Sequence, residues 1–179
     1  NEALAQTCDY EISLHDHHST FNGIPTKAKL QKLTEMGIVK EHQHQEIYEK
    51  KQTLTVEIIE NNATYREEKV EMINELRARG YFIACFTNSI RKTAIMMLDK
   101  TGVLEHLDCL VTNEDVENSK PDPEGYLYLV EKFNAKKENV IIVEDSPKGR
   151  AAAHASGCNV IEVEDPSEVN IKLFKEYLK

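Results

Sequence analysis

The chain has 179 residues, enough for one α/β core and a small accessory domain. Hydrophobic residues make up 40% and charged residues 30%, a globular balance that argues against intrinsic disorder. Its 31 acidic against 22 basic residues leave a net charge of -9, which argues against nucleic acid and anionic membrane surfaces as partners.

Residues 1–60 carry only helical signals. Pro25-Thr26 opens a helix that presents Ala28, Leu30, Leu33 and Met36 and stops at Gly37. A second helix is predicted over 43–59, with Ile47, Leu54 and Ile58 at helical repeats. Asn61-Asn62-Ala63-Thr64 then breaks the pattern with polar turn formers, which places a domain boundary there. The expectation is a small helical bundle over 1–62 and a second domain over 63–179.

The second domain alternates helix and strand. A helix over 66–79 ends at Gly80, and Tyr81-Phe82-Ile83-Ala84-Cys85-Phe86 is a continuous apolar strand. A helix over 91–100, with Ile95, Met96, Met97 and Leu98 as its core-facing stripe, leads to the strand Cys109-Leu110-Val111-Thr112. A helix over 123–133 and the strand Val140-Ile141-Ile142-Val143 follow. A small-residue helix over 147–156, the strand Asn159-Val160-Ile161-Glu162-Val163 and a closing helix complete the chain. Apolar strands between amphipathic helices predict an α/β, Rossmann-like parallel sheet with helices on both faces.

Ligands of such sheets bind beyond the carboxyl ends of the strands. Thr87-Asn88-Ser89 follows the first strand, Thr112-Asn113-Glu114-Asp115 the second and Glu144-Asp145-Ser146 the third, while Lys120-Pro121-Asp122-Pro123 opens the intervening helix. Taken singly, each has an ordinary explanation: a helix cap for Thr-Asn, a surface charge for Lys120, a turn and cap for Glu-Asp-Ser-Pro. Together on one rim they are an inventory for holding phosphate beside a divalent cation. Thr87 and nearby N–H groups can donate to phosphate oxygens, and Lys120 can neutralise one. Glu144 and Asp145 offer the hard oxygen ligands that suit Mg²⁺.

The strings Cys85-Phe86-Thr87-Asn88-Ser89, Lys120-Pro121-Asp122-Pro123-Glu124-Gly125-Tyr126 and Val143-Glu144-Asp145-Ser146-Pro147-Lys148-Gly149, the last continuing through Ala151-Ala152-Ala153 to Gly157, resemble motifs two, three and four of haloacid dehalogenase-like hydrolases. The closest branch is the one with β-phosphoglucomutase, phosphoglycolate phosphatase and sugar phosphatases. The N-terminal bundle resembles that branch's helical cap, and Phe21-Asn22-Gly23-Ile24-Pro25-Thr26 its substrate-selecting loop. The resemblance implies that Thr87 and Asn88 bind the transferring phosphoryl group, with Ser89 and Gly23 among the substrate-binding residues. It further implies that Lys120 stabilises the charge of that group and of the nucleophile, and that Glu144 and Asp145 hold Mg²⁺.

The family's first motif, an apolar strand followed by D-x-D-G that supplies the attacking aspartate, has no match. Asp9-Tyr10-Glu11 follows a helical segment and is rejected as the nucleophile. The expectation is therefore that the central first strand is missing from this chain and that the polypeptide begins upstream, or that another chain supplies the strand. Without it, rows of backbone groups would lie unpaired in a dry interior at ~1–3 kcal/mol each, against a whole-domain stability of ~5–15 kcal/mol.

The function expected is a Mg²⁺-dependent phosphatase acting on a small phosphorylated metabolite, a sugar phosphate, through a phospho-aspartyl intermediate. A phosphosugar mutase and a non-catalytic phosphate-binding module are the alternatives. His15-Asp16-His17-His18 lacks the second ordered pair that a zinc site needs, and Ser89 and Ser146 lack a G-x-S-x-G context. Cys8, Cys85, Cys109 and Cys158 include no C-x-x-C pair and read as reduced thiols. No apolar run reaches the ~18–20 residues of a bilayer span, and no signal-peptide pattern opens the sequence. These features predict a cytoplasmic protein; the oligomeric state, which they do not address, is expected to be a monomer or weak homodimer.

Overall fold

The computed structural model describes residues 1–21 and 24–178. The polar break in the sequence is a break in packing too, for the chain divides into Asn1–Ala63 and Thr64–Lys179.

The first unit is helical: α1 (Glu2–Cys8), α2 (Leu14–Asp16) running into a π-turn at His17–Phe21, α3 (Thr26–Glu35) and α4 (His44–Asn62). Leu4, Phe21, Leu30, Leu33, Val39 and Ile47 form its core. The chain between α1 and α2 is fastened by a reciprocal pair of bonds. Asn1 Nδ2 donates to the Ile12 carbonyl at 2.9 Å, and Ile12 N–H donates to Asn1 Oδ1 at 3.0 Å. Ile47 is buried as its spacing predicts, but Ile58 is 58% exposed and Ile59 takes the buried position instead.

The second unit is α/β. Its elements are α5 (Glu67–Ala78), β1 (Ala84–Phe86), α6 (Arg91–Lys100), β2 (Cys109–Val111), α7 (Glu124–Lys132), β3 (Ile141–Glu144), α8 (Pro147–Ser156) and β4 (Asn159–Glu162). β1 and β2 pair in parallel, Ala84 opposite Cys109 and Phe86 opposite Val111. β3 and β4 pair likewise, Ile141 opposite Asn159 and Glu144 opposite Glu162. Among the described residues the strands make two separate two-stranded parallel sheets. Phe86, Val111, Tyr126, Leu129, Ile142, Ala152 and Ala153 form the core. Ala152 and Ala153 are fully buried, and their small side chains let α8 lie close to the strands. Pro147 at the first turn, the Ser146 hydroxyl accepting from Gly149 N–H at 3.1 Å, and left-handed Gly157 fix the two ends of α8.

Several elements differ from expectation. The first strand begins at Ala84 rather than Tyr81, because Tyr81 N–H closes the end of α5 on the Leu76 carbonyl and Ile83 N–H is taken by the Asp108 carboxylate. Phe82 is consequently 69% exposed and stacks on Phe133. In α6, Thr93 and Ala94 face the core, while Ile95 and Met97 of the expected stripe are exposed. The closing segment is two 3₁₀ turns, Pro166–Glu168 and Ile171–Phe174, in place of a helix. Asp165 and Asn170 side chains bond Ser167 N–H and Lys172 N–H, which diverts the backbone from α-helical pairing. All four cysteines are free and half-buried. No helix among the described residues is long and apolar enough to cross a membrane.

Candidate active site

Thr87 continues the β1 ladder, its N–H donating to the Val111 carbonyl at 2.9 Å. Its hydroxyl then accepts from Ser89 N–H at 3.1 Å, which turns the chain immediately after the strand. The turn is tied to the loop after β2 by Asn113 N–H on the Ser89 carbonyl at 3.3 Å and by Arg91, whose N–H donates to Glu114 and whose guanidinium grips both Asp115 oxygens at 2.5 Å. Asp115 also accepts from the backbone and hydroxyl of fully buried Thr112, at 2.8 and 2.7 Å. Desolvation alone would raise the Asp115 carboxyl, but the hydrogen bonds from Arg91 and Thr112 outweigh it and hold it at about 2.

Asn88 bridges from this turn to the next loop. Its amide nitrogen donates to the Lys120 carbonyl at 3.1 Å, and its amide oxygen accepts from Lys120 N–H at 3.0 Å. This two-point bond sets the backbone from which the Lys120 side chain projects, next to a cis Lys120–Pro121 peptide. The lysine is only 9% exposed. Its ammonium donates to Glu144 Oε1 and lies 4.9 Å from the centroid of the Phe86 ring and 5.0 Å from that of Tyr126. Those two rings meet edge to face at 5.0 Å. The same Glu144 oxygen accepts from the Tyr126 hydroxyl at 2.5 Å, and Ser146 Oγ lies 3.3 Å from the other oxygen. Burial first, and then the bond to Glu144, push the Tyr126 phenol well above its ordinary range. Burial also raises the Cys85 thiol, which senses both Lys120 and Glu144.

Two glycines make this packing possible. A Cβ on Gly125 would overlap the Phe86 ring, and one on Gly149 would overlap the Glu144 carboxylate.

The structure therefore links Asn88, Lys120 and Glu144 in one chain of contacts, with Thr87 and Asp145 as immediate neighbours in sequence. Ser89 is exposed at the turn, and Gly23 lies outside the described residues, as does Asn22. The two adjacent carboxylates differ. Glu144, 8% exposed, is engaged by Lys120 and Tyr126, whereas Asp145 is exposed and bound by no hydrogen bond or ion pair among the described residues. Among the described residues no three His, Cys, Asp or Glu side chains gather as a metal site. One exposed carboxylate at the end of β3 nonetheless fits Mg²⁺, which takes one or two carboxylates and completes its shell with water and substrate oxygens.

Sequence reasoning gives Phe86 and Tyr126 no role. The signal for Phe86 is its place as the last apolar residue of the strand; for Tyr126 it is only the neighbouring glycine.

A family model for haloacid dehalogenase-like hydrolase matches residues 1–163. The chain is 30% identical over 145 residues to a phosphorylated carbohydrates phosphatase of Thermotoga maritima, covering 79% of this chain and 65% of that protein. It is 32% identical over 90 residues to a phosphoglycolate phosphatase of Nitrosospira multiformis, covering 50% of this chain and 40% of that protein. The chain thus spans roughly half the length of these curated relatives. Its fold matches the crystal structure of a β-phosphoglucomutase from Clostridium difficile with a TM-score of 0.78 and 18% identity, over 97% of this chain and 85% of that one. With the matched family model reaching from the helical unit through β4, the chain belongs to the haloacid dehalogenase-like hydrolase family.

Proposed function

We propose that this chain carries the phosphate-binding and metal-binding residues of a phosphatase that acts on a small phosphorylated metabolite, a sugar phosphate. The observation that carries this reading is Lys120, buried at the strand ends with its backbone held by Asn88 and its ammonium by Glu144. Among the described residues Glu144 is its hydrogen-bond acceptor, so two of its three N–H donors are free for the oxygens of an incoming phosphoryl group. A pre-aimed cation in a desolvated setting stabilises charge that develops during phosphoryl transfer without having to reorganise.

The Thr87 hydroxyl, which accepts from Ser89 N–H, would contribute its own O–H as a neutral donor to the same phosphoryl group. Asp145 would hold Mg²⁺, while Glu144 keeps the Lys120 side chain in place. Bound Mg²⁺ supplies Lewis-acid polarisation of the phosphoryl oxygens. The names of the two phosphatase relatives support the substrate class.

The test uses the full-length polypeptide with Mg²⁺, p-nitrophenyl phosphate and a panel of sugar phosphates. Wild type should release inorganic phosphate, and Lys120→Ala should lower kcat by about 100-fold or more. No phosphate release from any monoester, or an unchanged rate in Lys120→Ala, would overturn the reading. Return of an isomer with little free phosphate would move it to a mutase.

A further inference from the structure

We propose that Tyr126 is a positioning residue for phosphoryl transfer, its hydroxyl acting through Glu144 to aim the Lys120 ammonium. The inference rests on the phosphatase reading and deepens it.

The geometry has three parts. First, Tyr126 and Lys120 donate to the same oxygen of Glu144, so the hydroxyl locks the carboxylate that the ammonium follows. Second, the Tyr126 ring and the Phe86 ring each hold the ammonium about 5 Å from the ring centroid, and their perpendicular packing makes a two-walled corner. A lysine has a flexible four-carbon stem, and this corner removes the freedom that would otherwise let it swing. Third, the corner has no slack, since Gly125 lets Phe86 close on α7 and Gly149 lets α8 close on Glu144.

A buried tyrosine with a hydrogen-bond partner is common in cores, where its hydroxyl is merely satisfied. The distinguishing feature at Tyr126 is that its partner oxygen is shared with a charged side chain that has donors to spare. Misplacement of such a group by an ångström costs rate far out of proportion to its effect on binding.

Tyr126→Phe keeps the ring wall and removes only the hydroxyl. In the full-length polypeptide it should lower kcat for p-nitrophenyl phosphate by about 10-fold or more, as loss of an outer partner does at other sites, with KM within about twofold. The same change made in Lys120→Ala should lower the rate no further, because there is no ammonium left to aim. An equal loss in both backgrounds, or an unchanged kcat in a folded Tyr126→Phe protein, would overturn the proposal. If wild type itself releases no phosphate, the phosphatase reading fails separately. Positioning is then judged from the ¹⁵N–¹H signal of the Lys120 ammonium, which should be sharp in wild type and lost in Tyr126→Phe. An unchanged signal would overturn it. Should Tyr126→Phe not fold, Glu144→Gln provides the second variant and should broaden the same signal.

Discussion

The second unit holds two ion pairs that look alike on paper and differ in surroundings. Lys120–Glu144 joins the loop before α7 to the end of β3, both side chains are at most 10% exposed, and aromatic rings wall it in. Arg91–Asp115 joins the turns after β1 and β2, and its side chains are 44% and 31% exposed. Water and salt screen the second pair and rob it of most of its Coulomb energy, while nothing but its partners compensates the first for lost hydration. The buried pair is thus a poor way to gain stability and a good way to hold a charge in one place. The exposed pair shapes loops.

The sharpest way to break this contrast is to remove one member of the buried pair. Glu144→Ala leaves an ammonium under two rings with no counter-charge, and unfolding in urea should show a loss of about 3–5 kcal/mol. A loss below ~1 kcal/mol, the scale of an exposed pair, would mean that water reaches Lys120 freely.

Packing against the pair gives a smaller effect. In Gly149→Ala the new methyl group meets the Glu144 carboxylate, and either the helix or the carboxylate has to move. Overpacking of this kind costs about 1–3 kcal/mol, readable in the same urea titration. Because the displaced group is the one that holds Lys120, phosphatase activity should fall together with stability. A stable protein of normal activity would show that the Glu144 position is loose.

These contacts also mark how far the sequence could be read. Strand ends were legible because an apolar run stopping at Thr87 or Glu144 is a local signal, and the family motifs named Lys120 and Asp145. The aromatic corner was not, since Lys120 and Tyr126 find Glu144 across 24 and 18 residues of chain, and no periodicity encodes that meeting. Phe86 was readable as core but not as the wall of a charge. The different surroundings of Glu144 and Asp145 were equally hidden, because only the fold says that the last residue of β3 is buried and the one after it exposed. At the C-terminus, Asp165 and Asn170 turned a helical pattern into short 3₁₀ turns through side-chain bonds that compete with the helix.

The exposed pair should yield the smallest change and the clearest pH dependence. Asp115 titrates at about 2 in the folded chain, below the ~3.9 of an unperturbed aspartate. A depressed carboxyl contributes stability that is fully present above the unfolded value and is lost as pH falls through the folded one. For Asp115 the window therefore runs from about pH 4 down to about pH 2. Solvent screening limits the contribution to ~1 kcal/mol or less. Asp115→Asn keeps the shape, weakens the grip on Arg91, and should flatten this part of the stability curve while changing neutral-pH stability little. Added salt should erase most of the remaining difference from wild type, because a pair this exposed lies within reach of counter-ions. The same salt titration should shrink the Glu144→Ala deficit far less, since Lys120 is only 9% exposed and is walled by Phe86 and Tyr126. If both deficits shrank alike, enclosure would not be what separates the two pairs.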